Sequence, residues 1–202
     1  MLARARWNHN LHYHRLLLDA VPAGAARVLD VGCGEGTLAR ALRARAAHVV
    51  GIDLDAASLA HARAAGSDGI EYVHGDVRTV PFELASFDAV VSVATLHHMD
   101  ATAGLRRMVA LLRPGGVLAI LGLARDAAPL DYALSAVAVV ASRAHRLVRR
   151  HWEHPSPKVW PPPETWASMR AIAARELPGH RWRRHLLWRY SLVWTKPRAA
   201  YG

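Results

Sequence analysis

The stretch Val28-Leu-Asp-Val-Gly-Cys-Gly-Glu-Gly36 says more about this chain than any other. It begins in a short apolar strand, Arg27–Val31, that runs unbroken into three glycines at alternate positions. Glycine lets the backbone turn sharply and lets a ligand approach where a Cβ would block it. Thr37–Ala46, with Leu38, Ala41 and Leu42 on one face, reads as the helix that follows. The start of a helix offers unpaired N–H groups, so the unit is built to hold something closely. A dinucleotide loop would space its glycines G-x-G-x-x-G, and here the third falls on Thr37. The spacing is instead D-x-G-x-G-x-G, from Asp30 to Gly36. Asp53, closing the next strand, puts a carboxylate where it can accept both hydroxyls of a ribose.

Outward from this stretch the same rhythm repeats. His48–Asp53, Ile70–His74, Phe87–Val93 and Gly116–Leu121 are short apolar strands, and Ala56–Ala65 is an alanine-rich helix closed by Gly66. Near-continuous apolar strands alternating with helices predict a parallel sheet covered on both faces. Upstream, residues 7–20 carry Trp7, Leu11, Leu16, Leu17 and Leu18 and predict an amphipathic helix ending near Val21-Pro-Ala-Gly24. After Leu123 the rhythm changes. Pro129–Arg150 predicts one long helix, apolar first and basic later; His154–Pro157 and Trp160–Pro163 predict a stiff loop. Glu164–Leu177 predicts another helix, and Trp182–Trp194 one or two strands.

At 202 residues, with 52% hydrophobic and 21% charged side chains, the chain is long and apolar enough for one globular domain and unlike a disordered segment. One cysteine excludes an intrachain disulfide framework or four-cysteine zinc site and suits a reducing compartment. The apolar stretches Gly116–Ala124 and Ala133–Ala141 fall short of the roughly 18 residues of a spanning helix. Met1–Asn10 lacks the apolar run of a secretory signal, so a cytoplasmic protein is expected. The formal net charge is +10, unevenly placed. Residues 1–100 hold 9 basic and 11 acidic side chains; residues 101–202 hold 17 and 5.

In order along residues 25–125, the chain resembles the class I S-adenosylmethionine-dependent methyltransferases. Val28–Gly36 looks like their first motif, Gly51-Ile-Asp53 their acidic second-strand end, and His74-Gly-Asp-Val77 their adenine-contacting turn. Ser86–Ser92 resembles their fourth strand, and Leu112-Arg-Pro-Gly-Gly-Val-Leu118 the turn into the fifth. The resemblance implies an α/β, doubly wound, seven-stranded, mostly parallel sheet with Tyr190–Thr195 as the antiparallel last strand. It implies one domain, with a cap helix (1–24), a cofactor core (25–123), a helical acceptor cap (124–177) and terminal strands (178–202). It also implies that S-adenosyl-L-methionine binds and leaves as S-adenosyl-L-homocysteine. Gly32, Gly34 and Gly36 would admit its methionine part, with Asp30 near the ammonium group and Cys33 a small filler between. Asp53 would hold the ribose beside Leu54, Asp76 the adenine amino group, Val77 the ring, and Val93 would line the same site. Asp53-Leu-Asp55 is not expected to bind metal, because alternation on a strand end points the carboxylates apart.

Methyl transfer is a displacement at a carbon already activated by sulfonium, so the protein mainly aligns an incoming lone pair. A base is needed only where the acceptor must lose a proton, and histidine suits that task. His97 and His98, just beyond the fourth strand, are the first candidates, His98 ahead of His97. The alternative is that one packs against the cofactor while the other caps the following helix. Tyr13 and His14, from the cluster His9–His14, come second, since leading helices in this fold close over the cofactor. On a helix only His9 and His12 would share a face.

The acceptor is expected to be a small molecule methylated on oxygen, nitrogen or carbon. Trp152, Trp160 and Trp166 suit an aromatic one, and the arginines an anionic one. Arg143, Arg146, Arg149 and Arg150 form a stripe at helical spacing, which leaves RNA binding or RNA methylation as an alternative. Arg181, Arg183 and Arg184 would protect a sheet edge. A cofactor-binding protein without methyl transfer is the third possibility. Base methylation is disfavoured: the lone cysteine sits in the cofactor loop, and Ser92–Leu96 replaces the Asn/Asp-Pro-Pro-aromatic run of adenine methylases.

Overall fold

The computed structural model describes residues 6–152 and 159–198. The chain begins with β1 (Arg6–Trp7), a 3-10 turn at Leu11–Tyr13 and α1 (His14–Ala20). There follow β2 (Ala25–Val31), α2 (Thr37–Leu42), β3 (Ala46–Asp53), α3 (Ala56–Ala64), β4 (Ile70–His74) and β5 (Phe87–Val93). A second 3-10 turn, Leu96–His98, leads to α4 (Ala101–Leu111) and β6 (Leu112–Gly122). The remainder is α5 (Pro129–Val148), β7 (Arg150–His151), α6 (Trp166–Glu176), β8 (Arg181–His185) and β9 (Arg189–Thr195).

Seven strands form one sheet in the order β4-β3-β2-β5-β6-β9-β8. β2 to β6 run parallel, while β9 lies antiparallel to both β6 and β8, so the doubly wound sheet with a reversed strand at Tyr190–Thr195 is as expected. β1 and β7 pair separately as a short parallel ladder. Period-2 alternation makes two cores from the same strands. Leu29, Val50, Val90, Leu118 and Ile120 meet α4 and α6 on one face. Val28, Val49, Ala89, Val91 and Ala119 meet α1, α2 and α3 on the other.

Four differences from the sequence expectation have physical causes. The helix expected over 7–20 is regular only from His14, because Trp7 and Trp152 backbones bond to each other and draw the leader into β1. α4, unassigned from the sequence, is capped by Asp100, which accepts from the Ala103 N–H at 2.7 Å; no histidine caps it. β6 starts at Leu112 rather than Gly116, its register against β5 shifting between Phe87 and Ala89. The segment 124–177 divides: α6 buries Trp166, Met169 and Ala173 in the sheet core, and only α5 stands apart as a cap. The His154–Pro157 loop lies outside the described residues.

Candidate active site

Strand order reverses at β2, whose neighbours are β3 and β5, and such a switch point opens a crevice at the carboxyl ends of the strands. Gly32, Gly34 and Gly36 line it with φ angles of 72°, 51° and 71°, a region L side chains rarely adopt. Gly32 is also confined: a Cβ there would lie 2.0 Å from Thr95 Oγ1. The loop hangs from β3, since the Gly32 and Cys33 N–H groups both donate to the Ile52 carbonyl. Cys33 is buried over Gly51, where its Sγ would be 2.9 Å from a Cβ, and burial pushes its thiol pKa far up. It fills space.

Asp53 is held by the loop it faces. Its Oδ2 accepts from the Gly34 N–H at 2.7 Å and its Oδ1 from the Asp55 N–H at 2.8 Å. A carboxylate has about four acceptor positions, so roughly one on each oxygen remains for a ligand's hydroxyls. Leu54, next along, is 65% exposed, an apolar surface left facing solvent. Asp55 turns the other way and caps α3, accepting from the Ala57 and Ser58 N–H groups. Asp30 is 1% exposed, and its Oδ2 has no hydrogen-bond partner among the described residues. Burial, then the charge of Asp53, raises its pKa to about 7.

Asp76 is differently placed. Arg78 donates to both its oxygens, at 3.1, 3.0 and 2.6 Å from the side chain and 2.9 Å from the backbone, and holds its pKa down. Those bonds use its acceptor positions, so an incoming amino group must displace Arg78. Val77 is buried in the core rather than laid open to the crevice, and Val93 is half-buried.

Beyond β5, Ala94 adopts φ 52° and turns the chain so that His97 and His98 stand side by side, ring centroids 4.2 Å apart. His98 is exposed and feels the charge of Asp53, which partly opposes the lowering of its pKa by burial. His97 is partly buried, its Nδ1 without a hydrogen-bond partner among the described residues, and burial followed by the charges of His98 and Arg189 lowers its pKa to about 4. Both imidazoles are neutral at pH 7 and can accept a proton.

Tyr13 and His14 diverge. Tyr13 packs on His185, centroids 4.8 Å apart, and its hydroxyl accepts from the Leu187 N–H at 3.3 Å. His14 opens α1, where burial lowers its pKa to about 4. His9 and His12, taken as a helical pair, separate because residues 8–10 are not helical. His9 reaches Ser142 on α5 at 2.9 Å, and His12 meets Trp7 and His145. Sequence reasoning missed the anchor of this leader. Arg189, buried, donates to Asn10 Oδ1 at 2.9 and 2.8 Å and to the carbonyls of Leu187 and Trp188, and burial lowers its pKa to about 10. Asn10 and Arg189 are 179 residues apart, with no local signal to join them.

The tryptophans also diverge. Trp166 is buried, donates to Asp126 at 2.8 Å and carries Arg184 over its ring at 3.9 Å, while Trp160 is exposed. Arg184, on edge strand β8 with the exposed Arg181 and Arg183, pairs with Asp126 and Asp131. A groove of about 220 Å³ lies between α5 and the β8–β9 hairpin, lined by Leu134, Trp166, Arg184, His185, Leu186 and Trp188 among others.

Residues 29–120 match the family model described as "Methyltransferase domain". An uncharacterized methyltransferase of Mycobacterium tuberculosis is 39% identical over 193 residues, 95% of this chain and 98% of that protein. A demethylmenaquinone methyltransferase of Clavibacter sepedonicus is 33% identical over 173 residues, 79% of this chain and 69% of that one. An S-adenosylmethionine-dependent methyltransferase structure from Mesorhizobium loti superposes with TM-score 0.61, covering 92% of this chain and 96% of that one at 21% identity. The chain belongs to the class I S-adenosylmethionine-dependent methyltransferases, and S-adenosylmethionine is its cofactor.

Proposed function

We propose that the protein transfers a methyl group from S-adenosylmethionine to the oxygen, nitrogen or carbon of a small molecule by direct displacement. One observation carries the reading: Asp53 is oriented by Gly34 and Asp55, and Asp30 in the same crevice keeps a buried oxygen unpaired. A buried, unpaired carboxylate oxygen is costly unless a cationic donor meets it, and the cofactor's ammonium is such a donor. The remaining positions on Asp53 suit the two ribose hydroxyls, Leu54 an adenine face, and Gly32, Gly34 and Gly36 the close approach of the methionine chain. Asp76 joins by exchanging Arg78 for the adenine amino group, with Val77 and Val93 packed behind the site.

When bound, the cofactor supplies an electrophilic methyl on a sulfonium. His98, exposed beside Asp53's field, takes the acceptor's proton at a ring nitrogen. His97 lies against it, so a second charge there is disfavoured and one proton is held at a time. The leader held by Asn10 and Arg189 keeps Tyr13 over the hairpin and limits water at the acceptor side. Relatives named for demethylmenaquinone and ubiquinone biosynthesis support an aromatic acceptor. A single buried cysteine fits a cytoplasmic setting.

The test uses methyl-labelled cofactor with metabolite and quinone extracts, beside calorimetry of cofactor binding. Asp53→Ala is expected to weaken binding by about 1–3 kcal/mol through lost charged hydrogen bonds. His98→Ala is expected to bind cofactor normally while turnover falls about 10²–10⁴-fold, with an acid limb in the wild-type rate below pH 6.5. Unchanged affinity in the first variant removes Asp53 from the ribose; an unchanged rate in the second leaves alignment alone as the mechanism.

A further inference from the structure

Helix α5 is amphipathic the wrong way round for a helix in a globular fold. Its inward groups are polar: Asp131 pairs with Arg184 and accepts from the Ala127 and Ala128 N–H groups, Ser135 receives the Trp188 indole N–H at 3.1 Å, and Ser142 meets His9. Its outward face is aliphatic. Leu130, Val137, Val140, Leu147 and Val148 stand on one stripe of the helix, Val140 67% and Leu147 77% exposed. Leu186, across the groove it lines with Leu134, extends the apolar surface onto the hairpin. Monomeric proteins rarely leave so continuous an apolar stripe to water without a use for it.

The charge beside the stripe indicates what covers it. Arg143, Arg146 and Arg149 are exposed along the second half of the helix, and Asp131, the only acid in α5, is turned inward. A second copy packed on this face would bring arginine toward arginine if the helices ran parallel, or arginine onto the uncharged outer surface of the first half if they ran antiparallel, and in neither case does an outward acid on α5 answer it. RNA would answer the arginines and leave the valines unused. Anionic phospholipid answers both: the aliphatic face enters the acyl boundary while the arginines reach the headgroups. The 20 residues of α5 have the length to span a bilayer but carry Asp131, Arg143 and Arg146, and among the described residues no helix is long and apolar enough to cross a membrane. A helix lying in the interface needs only one apolar face.

We propose that α5 docks the protein on the surface of an anionic lipid bilayer, aliphatic face down. The proposal does not depend on methyl transfer, since the stripe contains no residue of the cofactor crevice. It is tested by floating the full chain with phosphatidylcholine vesicles and with vesicles of phosphatidylcholine and phosphatidylglycerol. Circular dichroism and calorimetry with S-adenosylhomocysteine on each preparation show that fold and crevice are intact. The chain is expected to float with the mixed vesicles and not with phosphatidylcholine alone. Val140→Asp should abolish flotation, and Arg143→Gln should weaken binding roughly fivefold, the effect of one arginine at such a surface. Failure of the wild type to float overturns the proposal, as does equal flotation of Val140→Asp. Light scattering that finds a dimer split by Val140→Asp assigns the face to a second copy instead. RNA binding that Val140→Asp abolishes would likewise overturn the lipid assignment.

Discussion

The cofactor crevice and the cap above it are held together by different kinds of bond. In the crevice every contact has a backbone partner: the Gly32 and Cys33 N–H groups donate to the Ile52 carbonyl, and the Gly34 N–H donates to the Asp53 carboxylate. In the cap they join side chains from distant parts of the chain, as in Asn10 with Arg189, His9 with Ser142 and Trp188 with Ser135. The crevice therefore inherits the rigidity of the sheet. The cap is fastened by these side-chain clasps together with the β1–β7 ladder and the buried Trp7 stacked on His145, a smaller set of ties than the seven-stranded sheet has. In the proposed function this difference would set a cofactor end fixed by the sheet against an acceptor end tied by side chains.

The comparison breaks most completely at Gly32. Gly32→Ala combines an unfavourable φ, worth about 1–2 kcal/mol, with contacts 2.0 Å from Thr95 Oγ1 and 2.7 Å from its Cβ, the second of which no rotation of that side chain relieves. Calorimetry is expected to find no measurable cofactor binding, with a lowered melting temperature. Near-normal affinity would mean the loop is as adjustable as the cap.

Next in size is the cap's own clasp. Asn10→Ala leaves the buried Arg189 without its side-chain acceptor, and bonds to charged groups contribute about 1.5–3 kcal/mol. At this chain length that is a fall in melting temperature of about 3–12 °C. Cofactor affinity should hold while the KM for the acceptor rises. Loss of both together would show that the leader belongs to the crevice and that the two regions are one.

The same division explains what the sequence could tell. β4 and β5 were legible to the residue, and Val28–Gly36 and Asp53 with them, because backbone geometry dictates residue type there. Asp100 and the spacing of Ala101, Leu105 and Met108 did carry a helix signal for α4, since these line its buried face. α5 was legible as a helix but not as to its inside. Periodicity marks an apolar stripe without saying whether protein covers it, and only the inward ties of Asp131 and Ser142 decide that. Asp76 was visible as a turn acid, whereas its capture by Arg78 depends on side-chain geometry that no spacing encodes.

The effect that is smallest at neutral pH is an acid one, at the seam between the regions. His14 begins α1, the helix that carries the leader down onto the sheet, and burial lowers its pKa from 6.5 to about 4. Between those values the unfolded chain binds a proton that the folded chain refuses. Stability is therefore full above pH 6.5 and declines as pH falls toward 4. His97, lowered to about 4 as well, adds a second such term. In thermal melts across this range His14→Gln should show a shallower decline than the wild type, with His97 and the other histidines that burial holds down, His12, His98 and His185, supplying the remaining slope. Parallel slopes would mean that His14 meets water in solution. The leader would then stand open at its junction with the core, and the Asn10 clasp, not α1, would be what keeps the cap in place.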